Sequence, residues 1–276
     1  MQKKVFNTIF ERQNEEGSLK VQAAARYMFN KANLIDNYYW VAILFFLVLK
    51  LVVRDNIYID LILIAWFGLT IYIEEKIAKL TSIAANYKQI FDLYVYGWTD
   101  NISSITLEEI TKIQKRKPVW FAEQVTREGN DHPRGVRSWY ETVENDTDQL
   151  DAIKKAMKES TYYTNFINKI HYSVFLIIIV VTIGIFALGN QTVSDYLKIV
   201  FLTMAPISKK IISVLIKLER QKQICLILAI ELKRELDNDE LKDLQNLIFS
   251  RRQISGISPS WIYNVTKRRI TDSING

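Results

Sequence analysis

Residues 38–73 read YYWVAILFFLVLKLVV RDN IYIDLILIAWFGLTIYI, two apolar runs from Tyr38 to Val53 and from Ile57 to Ile73, separated by only Arg54, Asp55 and Asn56. The first run is about sixteen residues, short of the roughly twenty needed to cross a bilayer as a helix, but Asn33-Leu34-Ile35 extend it. Lys50 near its far end can snorkel to the headgroups, and Tyr38, Tyr39 and Trp40 form an aromatic anchor at the other interface. With three residues between them, the two runs must form an antiparallel helical hairpin. Asp60 lies near the start of the second run, and Glu74-Glu75 close it.

Outward from this hairpin the composition agrees. Mean hydropathy is 0.00 although 24% of residues are charged, so the apolar residues must be clustered. A third run, Tyr172 to Leu188 (YSVFLIIIVVTIGIFAL), carries no charge, and Gly189-Asn190-Gln191 turns the chain after it. A fourth, within Tyr196 to Leu218, contains Lys198, Pro206, Lys209, Lys210 and Lys217. Two readings stay open for it: Val193–Ser208 crosses and the lysine pair marks the cytoplasmic boundary, or the segment lies in the interface. The expected fold class is all-α, a polytopic membrane protein with about four transmembrane helices and a helical cytoplasmic head. The domains expected are an N-terminal helical arm (1–37), a first transmembrane hairpin (38–73), a cytoplasmic helical segment (74–171), a second hairpin (172–217) and C-terminal helices (218–276).

Lys and Arg set the orientation. The arm carries Lys3, Lys4, Arg12, Lys20, Arg26 and Lys31, the middle segment and tail are rich in both, and the short loops hold only Arg54. The positive-inside rule places both termini and the middle segment in the cytoplasm. The first thirty residues show no apolar stretch of signal-peptide type, so the first span is expected to act as an uncleaved anchor.

The middle segment is too long for a connector. Helical spacing continues from the second run through Ile77, Leu80, Ala84, Tyr87, Phe91 and Tyr94, with Gly97 as the stop. A helix is expected after Thr106, which with Glu109 matches a capping box, ending before Pro118. A loop follows through Trp120, Phe121, Gly129, Pro133 and Gly135. The next helix starts near Asp146 or Thr147 and uses Leu150, Ile153 and Met157 as its apolar face. Leu218–Leu236 and Leu241–Ser250 read as two amphipathic helices broken at Asp237-Asn238-Asp239.

Enzyme signatures are missing: no phosphate-binding P-loop, dinucleotide fingerprint, zinc-protease motif or nucleophile elbow occurs. Cys225 lies in an apolar helical run and reads as core. One cysteine with His132 and His171 does not make a zinc site, and Glu141, Glu144, Asp146 and Asp148 read as a helix N-terminal turn. No enzyme activity, cofactor or metal site is expected. The loop HPRGVRSWYE (His132–Glu141) stands apart. Arg134 and Arg137 offer forked donors suited to phosphate, and Trp139 and Tyr140 offer rings able to stack on a base. The competing reading is a structural loop whose rings plug a core and whose arginines pair with acids.

Three blocks of sequence carry a resemblance. The arm contains Gln13-Asn14-Glu15, Ala24-Ala25 with Tyr27, and Lys31-Ala32. The central loop contains Gly135, Trp139 and Tyr140. The tail contains Leu244-Gln245, Ile248, Arg251, Arg252, Pro259, Trp261-Ile262-Tyr263 and Arg268. In this order, around four apolar runs, they resemble the SMODS-associated four-transmembrane effectors. One departure is that the family's Ala-Gln-Arg reads Ala24-Ala25-Arg26 here, so no role for that Gln carries over. The resemblance implies a bacterial inner-membrane effector of a CBASS anti-phage system. Such an effector binds a cyclic oligonucleotide, works as a homo-oligomer and permeabilises the bilayer in abortive infection; no DNA or RNA polymer is implied as partner. Expected ligand contacts are Arg134, Arg137, Trp139 and Tyr140, then Arg26, Arg251 and Arg252. Lys50, Asp60, Lys198 and Pro206 are expected at a pore or subunit contact, against the alternative that Lys50 and Asp60 snorkel at span ends. A membrane-anchored scaffold without a pore is the other functional reading.

Overall fold

The structure, a computed structural model, describes residues 7–53, 56–129, 131, 133, 135–162 and 205–255. The third apolar run, most of the fourth with Lys198, and the tail motif from Pro259 to Arg268 lie outside the described residues. Among the described residues the fold is all-helical, with one isolated bridge between Glu128 and Arg137. The helices are α1 (Thr8–Arg12), α2 (Glu16–Val52), α3 (Ile57–Val95), α4 (Ser104–Arg116), α5 (Pro118–Thr126), α6 (helical over 149–162), α7 (Ala205–Glu231) and α8 (Asn238–Arg252).

Local chemistry accounts for the boundaries. No Gly or Pro interrupts Ser18–Val52, so arm and first apolar run form one helix. Helix α3 has no Pro and carries a single Gly68 without interruption, and it stops where Gly97 adopts φ 76°. There the Trp98 N–H returns to the Leu93 carbonyl at 2.9 Å, the left-handed glycine stop that the spacing predicts. Helix α4 begins earlier than its pattern suggests. Ser103 is the N-cap, accepting from the Thr106 N–H, and Thr106 sits inside the first turn. Pro118 does end α4, but it also opens α5 at a position where a missing N–H costs nothing. Trp120 and Phe121 are therefore helical rather than in a loop. Asp148 accepts from the Leu150 N–H and starts α6. Asp237 and Glu240 form a full capping box at α8, at the break expected from Asp237-Asn238-Asp239.

The chain divides into two compact units. Unit 1 comprises Met1–Asn30, Leu80–Thr164 and Ile224–Gln253; unit 2 comprises Lys31–Lys79, Asn165–Gln223 and Ile254–Gly276. In unit 1 the core holds Ala23, Ala24, Phe91, Val95, Ile110, Phe121, Ile153, Met157, Leu228 and Ile248, all buried. Alanines on α2 and α3 let backbones approach closely. Cys225 is a buried core residue, and burial raises its pKa, partly offset by Arg251.

In unit 2, α2 and α3 run antiparallel, and their contacts step down both helices in opposite directions. The Tyr39 hydroxyl donates to Glu74 at 3.0 Å, the Phe46 and Trp66 rings lie 4.9 Å apart, and Lys50 meets Asp60 at 2.6 Å. Helix α7 joins them through Lys210, whose Nζ lies 2.5 Å from Asp36 with both side chains almost fully buried. Val214 and Leu218 pack there with Trp40, Leu215 and Ile254. Both long helices hold a stretch apolar enough to cross a membrane. Most of that apolar surface faces outward, with Phe45 60% and Ile57 66% exposed. Contiguous exposed apolar surface on this scale demands an apolar solvent.

Candidate functional site

The geometry of unit 1 centres on a residue with no local sequence signal. Asp92 on α3 is completely buried. Its carboxylate accepts from the Tyr140 hydroxyl at 2.6 Å and Gln245 Nε2 at 2.9 Å, and pairs with Arg252. Burial alone would raise its pKa. The charges of Arg252 and Lys88, with the Tyr140 hydrogen bond, outweigh that and hold it below the ordinary carboxylate value. The Tyr96 and Tyr140 hydroxyls lie 3.1 Å apart, and both phenols are pushed well above the usual value, first by burial and then by Asp92.

Three cations gather around this point. Lys88 Nζ sits over the rings of Trp139 (4.0 Å), Phe91 (4.5 Å) and Tyr140 (5.6 Å). Arg251 donates to the Ser160 hydroxyl at 2.8 Å and Arg252 to the same oxygen at 3.3 Å. Burial and the Arg252 charge lower Arg251 to about 10, whereas the burial of Arg252 is outweighed by Asp92 together with Tyr140 and Tyr96, which raise it. Glu159, half-buried, is a further acid of the region; burial raises its pKa, and it accepts from the Thr142 hydroxyl at 2.9 Å.

The loop is held by the arm. Gln13 Oε1 accepts from the Tyr140 N–H at 3.0 Å, Asn14 Oδ1 from the Ser138 N–H at 2.8 Å, and Glu15 from the Tyr94 hydroxyl. Arg26 donates to the Gly135 carbonyl at 3.0 Å. Gly135 is pressed on its other side: a Cβ there would lie 1.8 Å from the Arg127 carbonyl oxygen. Residues from each of the three sequence blocks, Gln13 and Asn14, Gly135 to Tyr140, and Gln245 with Arg252, thus meet at the loop and Asp92.

The expected ligand contacts divide into groups. Trp139, Tyr140, Arg251 and Arg252 come together around Lys88 and Asp92. Tyr140 is buried with its hydroxyl on Asp92, so its ring has no open face in this arrangement. Arg26 touches the loop at Gly135. Arg137 lies at the loop base, its Nε 3.6 Å from Glu128. Arg134, like His132, lies outside the described residues. Of the expected membrane-unit positions, Lys50 and Asp60 pair with each other, and Pro206 sits in the first turn of α7. The sequence reading missed Asp92, Lys88 and Ser160. The Asp92 partners are 48, 153 and 160 residues away, which no local pattern reports. No group of metal-ligating side chains occurs among the described residues.

No curated protein and no solved structure matches the chain. The family model of the SMODS-associating 4TM effector domain matches residues 7–275, taking in all three blocks and both apolar helices described above. That domain ties the chain to a cyclic-oligonucleotide signalling system. The chain belongs to the SMODS-associating 4TM effector family and is a membrane effector of anti-phage signalling.

Proposed function

We propose that this effector is switched by a cyclic oligonucleotide bound in unit 1 and, as a homo-oligomer in the bacterial inner membrane with both termini cytoplasmic, then permeabilises the bilayer. The observation that carries this reading is the gathering of Lys88, Arg251 and Arg252 around one carboxylate, beside Trp139 and a loop held by Arg26. Partly desolvated cations gathered next to a ring suit an anionic ligand with a stackable base. Trp139, Arg134 and Arg137 contact the ligand directly in this reading. Tyr140 links the loop to Asp92, so that ligand engaging the loop biases the packing of α3 against α8. A ligand shifts such an equilibrium only by its difference in affinity for the two arrangements. Four thin spans cannot enclose a wide channel alone, so several copies act together, with Lys50, Asp60, Lys198 and Pro206 at their contacts.

The test is dye release from liposomes holding the full-length chain, with and without cyclic di- and trinucleotides. Release is expected only with ligand, and Arg134→Ala is expected to abolish it while membrane insertion persists. Ligand binding without release by any nucleotide favours a scaffold that recruits another protein. Undiminished binding in the Arg134→Ala chain removes the loop from the proposal.

A further inference from the structure

One face of α7 in unit 2 combines two chemistries. Lys209, Ile212, Ser213, Ile216 and Lys217 follow helical three- and four-residue spacing and line an open groove of about 350 Å³. Ile212 and Ile216 are exposed. Neighbouring charges on this surface are unevenly matched. Lys210 is bound to buried Asp36, and Lys209 reaches Glu74 at 3.2 Å while lying 5.8 Å over the Phe67 ring. Lys217 is half-buried and has no ion-pair partner among the described residues. Among the described residues no acidic side chain lines the groove.

We infer that this groove is a binding site for an anionic phospholipid, with the phosphate held by Lys217 and the Ser213 hydroxyl and the acyl chains lying on Ile212 and Ile216. Charge complementarity calls for an anion at Lys217. The exposed isoleucines call for an apolar partner beside that anion, which a free phosphate does not supply. Basic pockets on the cytoplasmic side of membrane helices bind anionic headgroups. The site goes beyond the nucleotide reading and does not depend on it, because its test uses no nucleotide.

The experiment is native mass spectrometry of the full-length chain in neutral detergent with equimolar phosphatidylglycerol and phosphatidylcholine. Phosphatidylglycerol is expected to be retained in preference. Lys217→Gln should cut its retention about fivefold, the effect of one lysine near an anionic surface, while Lys217→Arg and the distant Lys233→Gln leave it unchanged. Ile216→Asn, at an exposed position, should lower retention of the lipid without altering monodispersity, and it decides the matter should Lys217→Gln aggregate. Equal retention of the two lipids, undiminished phosphatidylglycerol in the Lys217→Gln or Ile216→Asn chain, or its displacement by millimolar inorganic phosphate overturns the inference.

Discussion

Replacing Asp92 by Asn leaves Arg252 in a buried site without its counter-charge. The carboxylate is completely buried, and its partners sit on two other segments of unit 1. Removing one member of such a pair costs about 3–5 kcal/mol, most of it the penalty of the abandoned charge. In a domain of this size 1 kcal/mol corresponds to about 2–4 °C, so melting should fall by about 6–20 °C. Near-UV circular dichroism of the full-length chain in detergent reads the shift. Arg252→Gln should behave similarly, and Asp92→Leu with Arg252→Met should cost less than the two single changes together. The pH profile gives a second reading. Because the folded pKa of Asp92 lies below its ordinary value, its stabilisation is complete above the unfolded value of about 3.9 and is lost as pH falls through the folded value. The Asn variant should lack that part of the acid limb. Single-variant shifts under about 3 °C, or strict additivity in the double variant, would refute the argument.

Other expectations follow from the same reasoning. Gly135→Ala drives a methyl into the Arg127 carbonyl and should open residues 128–140 to limited proteolysis while unit 2 stays protected. Asp36→Asn or Lys210→Met alone should destabilise detergent-purified chain by about 3–5 kcal/mol, and Asp36→Leu with Lys210→Met should recover most of it in a thermal-melt series. Asp237→Ala removes the capping-box acceptor and should cost about 1 kcal/mol, seen as faster amide exchange in the first turn of α8.

What the sequence discloses depends on the range of the interaction. Hydropathy reveals the α2–α3 hairpin because burial in lipid is written into consecutive residues, and Gly97 and Asp237 act within one turn of themselves. Pro118 is ambiguous by nature, since the residue that bars one helix is well suited to begin the next. Ser103 and Thr106 are both hydroxyl residues, and only the backbone decides which of them caps. The loop Gly135–Tyr140 is recognisable from its composition, yet composition does not tell a ring that plugs a core from one that meets a ligand. In the folded unit Tyr140 is closed off and Trp139 lies against Lys88. Asp92 looks like any acid on a helix until Gln245 and Arg252 arrive from the other end of the chain.

The Lys50–Asp60 contact bears on how the protein is made. A lone charge threaded through hydrocarbon raises the barrier by about 3 kcal/mol on insertion scales. Held 2.6 Å apart across the hairpin, these two cancel, provided both helices enter the bilayer together. Stepwise entry, one helix after the other, would strand each charge in turn. Changing Lys50 to Leu would therefore leave the acid to make the passage unaccompanied, and the defect would surface as poor delivery into the membrane rather than as instability of molecules already there.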